Sequence, residues 1–229
     1  MAHLAVPGQK TSLPGNSVYA TNAWFIFGAF CFIYLFFNWY LQTQILTDQV
    51  YTYSLSGKVN PDKLTAFLDG QHRASFLSYV LIPVTMLVKM SLVTLCLLAG
   101  FLITSQKTSF ATLFRIVLFA ETAFIGGALL RLLLLAFSHP VNSLGQYISF
   151  APLSLYSLFE PRSIPNWLTY PLQTLDVCQI GYVLLLAAGL RFYYGQSFKS
   201  ALELVLGSYG LGLFCCMIGF AFISISFNP

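Results

Sequence analysis

The chain has 229 residues, 57% of them hydrophobic and 8% charged, with mean hydropathy +0.75. Soluble domains carry about 25% charged residues, so this composition excludes a water-soluble globule and is better counted in bilayer crossings of about 20 apolar residues each. The net charge of +4 comes with no basic run and no basic and aromatic patch. It therefore gives no support to a nucleic-acid partner and is read as a matter of membrane orientation.

In chain order, Met1 to Asn22 holds Pro7, Gly8, Pro14 and Gly15 and reads as a polar tail, too short to fold alone. The apolar run Trp24 to Leu41 follows a tail with only Lys10 as a base, and no small-residue cleavage site comes after it. These features predict a retained span rather than a signal peptide. Between Asn60 and Arg73, Asn60 is a candidate cap, Pro61 fits the first helical position, and Leu64, Phe67, Leu68 and Gln71 keep helical spacing. The expectation is a short helix lying on the membrane interface.

The second span is expected over Phe76 to Thr104, with a kink at Pro83, and the turn Ser105 to Phe110 leads into a third span, Ala111 to Phe137. The stretch Ser138 to Pro171 carries Pro140, Pro152, Pro161, Pro165 and Pro171 among aromatic residues, which forbids a continuous helix and suits a cap dipping into the headgroup zone. Leu172 to Leu190 and Leu204 to Ser226 complete five spans, joined by Arg191 to Glu203. The division is thus a tail, residues 1–23, a five-span membrane domain, residues 24–226, and a short end, residues 227–229. The predicted fold class is all-α, a polytopic membrane helical bundle.

Loop bases set orientation. Lys10, Lys107, Arg115, Arg191 and Lys199 fall on the side of the N-terminal tail, and Lys58, Lys63, Arg73 and Arg162 on the other. The expected topology has a cytoplasmic N-terminus and an outer C-terminus. No internal repeat is visible, and five spans do not divide into inverted halves, which argues against a repeat-built transporter.

An ionised group at the bilayer centre costs about 2.5–3.5 kcal/mol, so charges inside spans are the most informative residues. Five fall within the expected spans; Arg115 is close enough to the inner end of the third span to reach the headgroups, which leaves Lys89, Glu121, Arg131 and Asp176 as the deeper ones. Counting about 1.5 Å per residue from the turn, Lys89 lies about 24 Å deep, Glu121 about 16 Å and Arg131 about 31 Å. That arithmetic predicts a Lys89–Glu121 pair across the hairpin and an Arg131–Asp176 pair near the outer side. Structural pairing accounts for all four charges; an ion or proton path is the competing reading. Gly126 and Gly127 in the third span, and Gly207, Gly210, Gly212 and Gly219 in the fifth, are expected to allow close helix packing.

Cys31, Cys96, Cys178, Cys215 and Cys216 all fall in apolar runs without CxxC spacing and are read as small buried hydrophobes. His3, His72 and His139 are scattered, with no HExxH, nucleophile elbow or phosphate loop. The expectation is a chain without catalysis, metal or cofactor.

Leu175 and Asp176, the run Gly181 to Arg191 (GYVLLLAAGLR) and the connection Tyr194 to Ala201 (YGQSFKSA) resemble the closing span pair of the Yip-domain membrane proteins. The likeness covers about the last two thirds of the chain through loose apolar, glycine and basic patterns. It implies five spans and a cytoplasmic N-terminus. Eukaryotic members are associated with Rab GTPases and vesicle traffic, but this chain lacks their long acidic N-terminal region and their Asp-Leu-Tyr-Gly-Pro motif. The resemblance is therefore to a bacterial-type member in the cytoplasmic membrane. The function expected is a non-catalytic scaffold or accessory subunit, in contact with the bilayer and with a membrane-protein partner or a second copy. The alternative is a small transporter or channel using the four intramembrane charges.

Overall fold

The computed structural model describes residues 22–55, 61–137, 143–160 and 164–227. The tail up to residue 21, the Asn60 cap and the last two residues lie outside the described residues. Five helical stretches are long and apolar enough to cross a membrane: Ala23–Ile45, Phe76–Ile103, Phe110–Phe137, Val177–Tyr194 and Phe198–Ser226. Among the described residues no strand forms, and the only β-type pairing is a single bridge between Ser154 and Asp176.

Helix α1 (Ala23–Tyr40) starts where the Asn22 side chain accepts the Trp24 N–H at 3.2 Å, and a π turn, Leu41–Ile45, ends it. It presents most of its surface outward, with Cys31 its one buried residue. Helix α2 (Asp48–Leu55) is short. Helix α3 runs unbroken from Pro61 to Ile103, through Pro83. Helix does begin at Pro61 as expected, but it is continuous with the second span rather than a separate interfacial element. No breaker separates Arg73 from Phe76, and Gly70 alone costs only about 1 kcal/mol in a helix. At about 1.5 Å per residue, 43 residues reach about 64 Å, roughly twice the hydrocarbon thickness, so the first turns project beyond the span.

The third span is two helices in near continuity, α4 (Phe110–Ala120) and α5 (Thr122–Phe137). The Ser109 side chain accepts the Thr112 N–H at 3.3 Å to start α4. The break falls on Glu121, whose carbonyl accepts from both Phe124 and Ile125, a local tightening of the helix at the charged residue.

The proline-rich stretch folds as α6 (Leu144–Ser149), a 3-10 turn (Leu155–Leu158) and α7 (Asn166–Thr174). It is pinned over one end of the bundle. Leu144 N–H donates to Ser54 Oγ at 2.7 Å, Leu155 N–H to the Leu175 carbonyl at 2.9 Å, and Val177 N–H to the Leu153 carbonyl at 3.0 Å. Because α7 ends at Thr174, the fourth span begins later than the Leu172 expected, as α8 (Val177–Tyr194). Gly195, at φ 67°, closes α8 in the left-handed conformation that glycine adopts freely. Helix α9 (Phe198–Val205) then continues through a π turn, Leu206–Gly210, into α10 (Leu211–Phe227), so the fifth span starts earlier than the sequence suggests.

Helix α8 is central, packed against α4, α5 and α9, while α1 covers α3 and α5, and α7 lies against α10. The core joins Met90, Leu97, Leu113, Val117, Tyr182 and Leu186. Close approach depends on glycines only in part as expected. A Cβ on Gly127 would collide with Cys178 Sγ, and one on Gly212 would lie 3.1 Å from Cys96 Sγ. Gly126, Gly207 and Gly219 face open space, and Gly210 meets only its own turn. Two tight crossings lie elsewhere, where a Cβ would sit 2.6 Å from Ile116 Cγ2 at Gly189 and 2.8 Å from Ser208 Cβ at Gly100. Cys215 and Cys216 are exposed on the outer face of α10 rather than buried, since one side of that helix has no neighbour in the bundle.

Candidate functional site

The hairpin between the second and third spans brings Lys89 of α3 to Glu121, with Nζ 2.7 Å from Oε1. The predicted pair therefore forms, at the middle of both spans. Helix α1 adds a third member, Tyr34, whose hydroxyl donates to the same Oε1 at 3.2 Å. Lys89 Nζ also stands 3.8 Å from the centroid of the Phe124 ring and 5.8 Å from that of Tyr182, so aromatic faces supply part of the solvation that lipid cannot.

The two charges are not equally enclosed. The Glu121 side chain is 2% exposed and that of Lys89 42%. The Lys89 side chain borders a groove of about 340 Å³ between α1 and α3, lined by Tyr34, Ile82, Thr85, Met86, Lys89 and Glu121. Behind the pair, Glu121 Oε2 and the Tyr182 hydroxyl are buried without a hydrogen-bond partner. Tyr182 packs edge-on to Tyr209 at 5.5 Å, and the Tyr209 hydroxyl accepts from Gln179 Nε2 at 2.7 Å. Polar groups thus extend from Tyr34 across the bundle interior to Gln179. Sequence reasoning missed Tyr34, Tyr182, Tyr209 and Gln179. Gln179, an amide in an otherwise apolar run, was the available signal.

Arg131 and Asp176 do not form the expected pair. Asp176 caps α8, its Oδ1 accepting the Gln179 N–H at 2.5 Å. A helix start offers backbone amides and a favourable dipole to an acid, which removes its need for a basic side chain. Arg131 reaches up to the cap instead, where an Nη donates to the Tyr147 carbonyl at 3.3 Å and the guanidinium lies 5.3 Å from the Tyr147 ring. Both residues line one cavity without an ion pair between them. Among the described residues, no group of three or more His, Cys, Asp or Glu is placed to hold a metal ion.

The described chain is an all-α, multi-pass membrane bundle of five apolar helices, with an ion pair at mid-span whose carboxylate is buried. No family model, curated protein or solved structure matches it.

Proposed function

We propose that the chain is a Yip-like, non-catalytic scaffold or accessory subunit of a larger assembly in a bacterial cytoplasmic membrane, with its N-terminus in the cytoplasm. The supporting observation is the closed ion pair. Lys89, Glu121 and Tyr34 tie three spans together, so the charges that a carrier would expose to a passing ion are used to hold helices in register. The groove at Lys89 leaves a partly exposed lysine side chain between α1 and α3, a position suited to being covered by a helix of another subunit. Isolation of the full chain from its native membrane in mild detergent, followed by native mass spectrometry, tests the reading. A membrane-protein partner or a second copy at fixed stoichiometry is the expected result. A monodisperse single chain with no partner overturns it.

A second reading, a small transporter or channel, draws on the line of polar groups from Tyr34 through Glu121 and Tyr182 to Tyr209 and Gln179. Flux in reconstituted vesicles that Glu121→Gln abolishes would establish it in place of the first.

A further inference from the structure

The cavity under the cap lies at the end of the bundle away from the start of α1. Its volume is about 300 Å³, at the small end of ligand pockets. Its walls are of two kinds. Phe37, Leu41, Leu132 and Leu135 make an apolar floor, while Arg131, Gln173 and Asp176 are among its polar lining residues. Gln173 is already engaged, its Nε2 donating to the Ile148 carbonyl at 3.3 Å.

Arg131 is the unusual member. Its guanidinium carries five N–H donors. One nitrogen bonds the Tyr147 carbonyl, and Nε is buried with no partner. Among the described residues no acid forms an ion pair with it. The carboxylate that lines the same cavity, Asp176, is turned to the backbone of α8. The site therefore holds a full positive charge with unused donors, next to an apolar floor. Counting six residues from Phe137 at about 1.5 Å each, Arg131 is rooted about 9 Å below the end of the third span and reaches back toward that end. From that depth a long arginine side chain reaches out to the interface, where lipid phosphates meet the hydrocarbon.

We propose that this cavity binds the phosphate of an anionic phospholipid, with Arg131 as its oxyanion ligand and the Phe37, Leu41, Leu132 and Leu135 floor against the first carbons of the acyl chains. The planar fork of arginine matches phosphate oxygens, and its uncompensated charge selects a net anionic headgroup over a zwitterionic one. The apolar floor favours a lipid over a free phosphate.

The test is native mass spectrometry of the full chain from micelles holding equal parts phosphatidylglycerol and phosphatidylcholine, with separate additions of inorganic phosphate and glycerol 3-phosphate. Wild type is expected to retain phosphatidylglycerol in preference to phosphatidylcholine and to hold neither soluble phosphate. Arg131→Gln should weaken phosphatidylglycerol retention about tenfold or more, the usual loss when a charged hydrogen-bonding group is removed. Ala128→Leu, which fills the cavity while keeping Arg131, should lower retention as well and reads out the site if Arg131→Gln fails to fold. Arg191→Gln, at the opposite end of α8, should leave retention unchanged. Equal retention of the two lipids, or undiminished phosphatidylglycerol on folded Arg131→Gln or Ala128→Leu, would overturn the proposal. Retention of soluble phosphate in place of lipid would overturn the lipid assignment.

Discussion

Replacing either partner of the Lys89–Glu121 pair should destabilise the bundle, and by unequal amounts. Breaking a buried ion pair by removing one member costs about 3–5 kcal/mol, because the other is left as an uncompensated charge. Lys89→Met strands Glu121, which is 2% exposed and keeps only the Tyr34 hydroxyl, so the full cost of about 3–5 kcal/mol is expected. Glu121→Gln strands Lys89, but that side chain is 42% exposed toward the groove and retains the Phe124 face at 3.8 Å. A cation over an aromatic ring recovers about 1 kcal/mol, which brings the expected loss to about 2–4 kcal/mol. The double variant, Lys89→Met with Glu121→Leu, removes both charges and should lie within about 1 kcal/mol of wild type, since apolar replacement of a buried pair is often neutral. Reversible unfolding in mixed detergent micelles, followed by far-ultraviolet circular dichroism, measures all three together with the single Glu121→Leu that closes the cycle. Additive losses within about 0.5 kcal/mol in a full double-mutant cycle would refute the claim that the two side chains act as a pair.

Adjacent glycines of the third span should respond with opposite signs: Gly127→Ala should lower stability by about 1–3 kcal/mol through its clash with Cys178, while Gly126→Ala, facing open space, should be neutral or stabilising by up to about 1 kcal/mol. Cys178→Ala should rescue much of the Gly127→Ala loss in the same unfolding assay. Asp176→Ala should cost about 1 kcal/mol as a lost helix cap, and Asp176→Asn should restore most of it. A larger loss that Asn does not restore would instead point to an ionic partner. In a background without the native cysteines, a single cysteine at Ser12 and one at Asn228 should label from opposite sides of the membrane; labelling from the same side would refute the five-span topology.

The spans were legible because composition alone determines them: runs of apolar residues long enough to cross hydrocarbon have few other destinations. The Lys89–Glu121 pair was legible because a tight turn at Ser105 to Phe110 fixes the relative depth of the two helices it joins. Packing faces were not. Helices α3, α8 and α10 are apolar on nearly every side, so periodicity does not say which side meets a neighbour, and the tight contacts at Gly100 and Gly189 could not be chosen over Gly126 or Gly207. Tyr34 was invisible for the same reason, one of 13 tyrosines in a chain whose spans are full of aromatic residues.

The contrast between the two expected ion pairs shows what depth counting omits. Glu121 lies within a span, and its carboxylate draws no capping amides from a helix end, so its charge has to be met by side chains from neighbouring spans; Lys89 and Tyr34 supply them. Asp176 sits at the boundary where α8 begins, and the Gln179 amide reaches it without help from another helix. An acid whose carboxylate caps a helix start and an acid held at mid-span without capping amides are thus different chemical problems. Once Asp176 is served by its own helix, Arg131 is released from the pairing that charge balance suggests. Its long side chain then turns to the Tyr147 carbonyl of the folded cap, and the positive charge facing that cavity follows from where α8 starts rather than from the number of charges in the chain.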